Sequence, residues 1–111
     1  MNSICISGRV TSPPSFYPHE SGNHRCTFVL AHNEWRGGEQ RSAFFFAKAW
    51  GSKAQAIRAH CTTGTELFLS GRLEQWRCEE EDGRITYLNS IVVDRFDFGR
   101  RSGKPEGELP S

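Results

Sequence analysis

The chain has 111 residues, with 14 Lys+Arg against 13 Asp+Glu for a formal net charge of +1. That length holds one domain and not two, and so small a charge is low for a protein that clings to duplex phosphates, so bulk charge alone does not argue for nucleic acid. No apolar run reaches membrane-spanning length, and Met1-Asn2-Ser3-Ile4 lacks the charged and apolar regions of a secretory signal, so a cytoplasmic, nucleoid-associated protein without membrane contact is expected.

Residues 2–10 read as a first strand, with Ile4 and Ile6 on one face and Cys5 on the other, and Thr11-Ser12-Pro13-Pro14 breaks it. Ser21-Gly22-Asn23 is a turn signal. Residues 24–33 form a second strand, in which Cys26, Phe28 and Leu30 alternate with Thr27, Val29 and Ala31. Gly37-Gly38 supplies a flexible loop before a Phe-rich third strand over residues 41–50. The period then changes. Ser52 can cap a helix over residues 53–61, whose inner face holds Ala56, Ile57 and His60 or Cys61, and Gly64 closes it. Residues 65–76 return to strand, with Leu67, Leu69 and Leu73 on the core face and a kink at Gly71. Asp82-Gly83 is a hairpin turn, and residues 84–98 make the last strand.

Three strands, one helix and two strands is the order of an all-β, five-stranded OB-fold Greek-key barrel, with its helix between strands three and four. The expected domain covers residues 1–99. Residues 100–111 hold mostly Arg, Gly, Ser, Lys, Pro and Glu, and read as a disordered tail. Cys5, Cys26, Cys61 and Cys78 contain no C-x-x-C pair and read as free, mostly buried thiols in a reducing compartment.

The third strand carries the functional signal. Phe45, Ala47 and Ala49 suit a barrel interior, which leaves Phe44, Phe46, Lys48 and Trp50 outside. The opposite assignment would bury the Lys48 charge. Three rings and a cation on a solvated surface point to an interaction site: bases stack on flat rings while cations meet phosphates. Trp35, beside Arg36 at the loop mouth, suits a base contact at the rim. Trp76 and Arg77, with Arg72 upstream on the Trp76 face, form a second aromatic-plus-cation cluster near the long hairpin. The four acids Glu79, Glu80, Glu81 and Asp82 sit together, so the rest of the chain is more basic than the total suggests.

Several segments, in order and at matching spacing, resemble the bacterial single-stranded DNA-binding protein family over about residues 2–98. They are Asn2-x-Ile4-x-Ile6-x-Gly8-Arg9-Val10, Phe28-Val29-Leu30-Ala31, Phe44-x-x-x-Lys48-Ala49-Trp50-Gly51, Gly64-x-x-x-Phe68-Leu69-x-Gly71-Arg72-Leu73 and Asp82-Gly83-Arg84-x-x-Tyr87. The resemblance implies base stacking by Trp35, Phe44 and Trp50 and backbone contacts from basic residues, among them Arg9. The fourth family aromatic falls on Cys78, which cannot stack; Trp76, two residues earlier on the same face, substitutes. Phe46 replaces what is often a polar or basic residue. The resemblance also implies a homo-oligomer paired through the edge of the first strand, a tetramer rather than a dimer.

Family members generally carry a long tail with an acidic, Phe-terminated tip. This sequence ends Glu106-Gly107-Glu108-Leu109-Pro110-Ser111, so recruitment of replication proteins by that route is expected to be absent, as in a plasmid, phage or integrative-element version. The expected function is sequence-tolerant binding and protection of single-stranded DNA in replication, recombination or repair. The alternative is a primosome-type or other protein-interaction adaptor on the same fold. An enzyme is not expected: no Gly-x-Ser-x-Gly motif occurs, and Gly37-Gly38 fits no phosphate loop. Nor do His19, His24, His32 and His60 form a ligand-spaced set with the cysteines, so neither metal nor cofactor is expected.

Overall fold

Period-two alternation of apolar residues puts most of the chain into strands, and a single change of period makes a helix. In the computed structural model, which describes residues 1–99, the order is β1 (Ile4–Val10), β2 (Ser15–Tyr17), β3 (Arg25–Arg36), β4 (Glu39–Trp50), α1 (Ser52–His60), β5 (Glu66–Glu79) and β6 (Ile85–Phe98). The tail expected over residues 100–111 lies outside the described residues. No helix among those described is long and apolar enough to cross a membrane.

The sheet order is β1-β5-β6-β4-β3-β2, and a further β1–β3 pairing closes five strands into a barrel. This is the expected OB-fold architecture. Strand β2 was not foreseen. It adds three residues to the edge of β3, pairing Ser15 with Thr27, Phe16 with Cys26 and Tyr17 with Arg25. Two glycines permit the closure. A Cβ at Gly8 would run into the Ala31 carbonyl oxygen where β1 crosses β3, and one at Gly71 would run into that of Val92. Gly71 also lies at a register shift between β5 and β6, the site of the expected kink.

Val10, Leu30, Ile57, Leu67 and Ile91 are fully enclosed in the core, and Cys26, Phe28, Ala47 and Ala49 line it beside them. Burial pushes the Cys26 thiol above its ordinary value, and the Arg58 charge pulls it partly back. Helix α1 packs against β4, β3 and β2. Its inner face differs from the expected one: Ala54 and Ile57 are buried, Ala56 is only half-buried and His60 is exposed. The cap differs too. Ser52 is the first helical residue, because Gly51, at φ 65°, takes the cap position and makes the turn out of β4. Cys61 is buried, as is Cys26, but Cys5 is exposed and Cys78 half-buried.

Two hairpins outrun the barrel. The β3–β4 arm turns at Gly37 and Gly38, at φ 56° and 84°, the positive values that a tight two-residue turn requires. The β5–β6 arm turns at Gly83, where the Asp82 carboxylate accepts hydrogen bonds from the Arg84 backbone N–H and its Nε. Leu73, expected in the core, is 43% exposed. It pairs with Ile91 on the core-facing side of β5, but it lies where the arm leaves the barrel, and no layer of the described residues covers it.

Candidate nucleic-acid interface

The register between β3 and β4 assigns every outward side chain. Pairs run Trp35 with Gln40, Asn33 with Ser42, Ala31 with Phe44, Val29 with Phe46, Thr27 with Lys48 and Arg25 with Trp50. Directly paired residues project to the same face. Trp35, Phe44, Phe46, Lys48 and Trp50 therefore share one surface, while Cys26, Phe28, Leu30, Ala47 and Ala49 fill the barrel behind it. Trp35 is 72% exposed, and Phe44 and Phe46 each 62%. Rings of that size standing free cost hydration and gain nothing for the isolated fold, so they mark a surface awaiting an apolar, flat partner.

Lys48 is the node between this surface and the β5–β6 arm. Its Nζ lies 2.5 Å from the Glu74 carboxylate, 3.9 Å from the Trp76 ring centroid and 5.4 Å from that of Trp50. Arg72, Glu74, Trp76 and Cys78 share one face of β5 by alternation, so the second cluster joins the first through Lys48. A groove of about 850 Å³ runs between them, lined by Phe44, Phe46, Lys48, Trp76, Leu88 and Ser90 among others.

The remaining cations are placed less uniformly. Arg9 is half-buried, and its guanidinium donates to the Gly64 carbonyl at 2.8 Å. Arg36 lies on the opposite side of the β3–β4 arm from Trp35 and pairs with Glu34 at 3.3 Å. Arg77 lies on the opposite face of the β5–β6 arm from Trp76, paired in register with Tyr87. Neither Arg72 nor Arg77 makes an ion pair among the described residues.

Sequence reasoning missed one row of the same surface. Tyr17, Arg25 and Trp50 lie side by side across β2, β3 and β4, and the Arg25 guanidinium sits 4.4 Å from the Tyr17 ring centroid. The signal was present in Phe16-Tyr17, an aromatic pair between Pro14 and Pro18, but the segment follows Thr11-Ser12-Pro13-Pro14, which reads as a plain breaker. Among the described residues no group of three or more His, Cys, Asp or Glu could hold a metal ion.

The model of the Single-strand binding protein family matches residues 1–99. The chain belongs to this family. Single-stranded DNA-binding protein 1 of Clostridium acetobutylicum is 31% identical over 102 residues, spanning 88% of this chain and 93% of that relative. The single-stranded DNA-binding protein of Clostridium perfringens is 30% identical over 99 residues, spanning 88% of this chain and 65% of the relative. Among solved structures, a Plasmodium falciparum SSB in complex with ssDNA shares the fold, with a TM-score of 0.76 at 20% identity, covering 90% of this chain and 96% of that one. Cys78 stands half-buried where the resemblance implies an aromatic, whereas Trp76, on the same face, is 43% exposed and has the Lys48 ammonium against its ring.

Proposed function

We propose that the chain binds and protects single-stranded DNA without sequence preference, in replication, recombination or repair, and has no catalytic step. The observation that carries this reading is the single outward surface shared by Trp35, Phe44, Phe46 and Trp50. Every base has a flat face, so stacking on such rings tolerates any sequence, and each stacked base contributes about 1–3 kcal/mol. Trp76 extends the path onto the β5–β6 arm. Phosphates are met by Lys48 in the groove, by Arg72 on the Trp76 face of β5, and by Arg9, in register through Ala31 with Phe44. Arg36 and Arg77 reach the backbone where the strand wraps around the two arms. The names of the curated relatives favour this function over the adaptor alternative.

The working form is a cytoplasmic homo-oligomer, a tetramer rather than a dimer. The outer edge of β1 from Ile4 to Gly8 pairs with no described strand, and an open edge of that kind invites a second copy. Titration of intrinsic tryptophan fluorescence with a dT oligomer tests the function, with duplex DNA as control. Quenching by the oligomer and not by the duplex is expected. Absence of both quenching and a gel shift at low salt would falsify it.

A further inference from the structure

Lys48 is the central cation of the interface, and in the unbound chain an internal anion holds it. Its side chain is only 13% exposed, wedged between the Trp50 and Trp76 rings with the Glu74 carboxylate at 2.5 Å. Directly opposite Glu74 on β6 stands Ser90, on the same face and lining the same groove. Ser90 is 5% exposed, and its Oγ has no hydrogen-bond partner among the described residues. Buried hydroxyls rarely go without a partner. An ammonium and an unused hydroxyl that line one groove, with the Glu74 carboxylate in contact with the first and in register with the second, suit an oxyanion that accepts from both.

We propose that Lys48 and Ser90 form a subsite for one backbone phosphate, and that Glu74 occupies it as a resident anion the phosphate must displace. This rests on the single-stranded DNA reading above. The Lys48–Glu74 pair carries no net charge, so in the wild type the counterion released by the bound phosphate is offset by the one the displaced carboxylate takes up, and the subsite adds nothing to the salt dependence of binding. Removing the carboxylate leaves one uncompensated positive charge. For a single strand each neutralised phosphate steepens the slope of log K against log salt by about 0.7, which corresponds to roughly fivefold tighter binding at 0.1 M salt.

The test is anisotropy titration of a labelled dT oligomer across a salt series, with wild type, E74Q, E74A, K48Q/E74Q and S90A/E74Q. The Glu74 side chain is 40% exposed, so both single variants should fold, which thermal unfolding checks. E74Q and E74A should each steepen the slope by about 0.7. K48Q/E74Q should return it to the wild-type value. S90A/E74Q should weaken binding relative to E74Q with the slope unchanged, because a hydroxyl carries no charge. Wild-type binding with all slopes equal overturns the subsite alone. Failure of the wild type to bind the oligomer overturns the subsite together with the function it rests on.

Discussion

Three consecutive phenylalanines should give opposite phenotypes in alternation. Phe44 and Phe46 are each 62% exposed on the outer face, whereas Phe45 pairs with Leu30 and packs against the core. Truncation of Phe44 or Phe46 to Ala removes a free ring. Folding should change by no more than about 0.5 kcal/mol, as for other surface sites. Binding should lose about 1–3 kcal/mol of stacking, or roughly 5- to 150-fold in Kd. Phe45→Ala should do the reverse. A fully enclosed Phe truncated to Ala costs about 3–5 kcal/mol, so the half-buried Phe45 should cost roughly 2–3, lowering Tm by about 10–20 °C in a domain of this size. Far below that Tm its affinity for a dT oligomer should stay within about twofold of wild type, because its own ring makes no stacking contact. Calorimetry and anisotropy titration on the same three preparations decide the matter. Loss of affinity by Phe45→Ala at unchanged Tm, or loss of Tm by Phe44→Ala and Phe46→Ala at unchanged affinity, would refute the assignment of faces.

Gly71→Ala should destabilise by about 1–3 kcal/mol or more in urea unfolding, because its Cβ meets a backbone carbonyl that cannot rotate away. Arg72→Gln should weaken binding to all single-stranded sequences alike and flatten the salt slope by about 0.7, with no change in Tm; an unchanged slope would remove Arg72 from the phosphate path. The Cys26 thiol holds its proton to higher pH in the folded chain than in the unfolded one. Its contribution to stability is therefore complete below the ordinary value of 9.0 and is lost as pH rises through the raised folded value. Cys26→Ala should accordingly flatten the decline of Tm above pH 9.0. An equally steep decline in that variant would assign the alkaline loss to other groups.

The faces of β4 could be read directly from residues 44–50, because a period of two leaves only two assignments and one of them points the Lys48 charge into the apolar barrel interior; on the outer face its side chain is still only 13% exposed, but it has the Glu74 carboxylate as a partner. The same rule was available at Trp35 and Arg36, and at Trp76 and Arg77: neighbours in a strand point to opposite sides, so a ring and a cation adjacent in sequence do not share a face. Alternation reports a face but not whether anything covers it, and Leu73 was misplaced for that reason. Its partner Ile91 is enclosed while Leu73 itself lies at the barrel mouth. The β2 strand was hidden because three residues between prolines gain strand character only from non-local pairing with β3. The contact between Lys48 and Glu74 joins β4 to β5 across the intervening β6, and no local pattern encodes it.

Photo-cross-linking of an oligodeoxynucleotide carrying 5-iododeoxyuridine, followed by peptide mapping, asks directly which surface the bases touch. Adducts should concentrate on Trp35, Phe44, Phe46 and Trp50, with Trp76 as the extension on the second arm. Adducts confined to Phe68 on the outer side of β5, or to α1, with those rings unmodified, would contradict it.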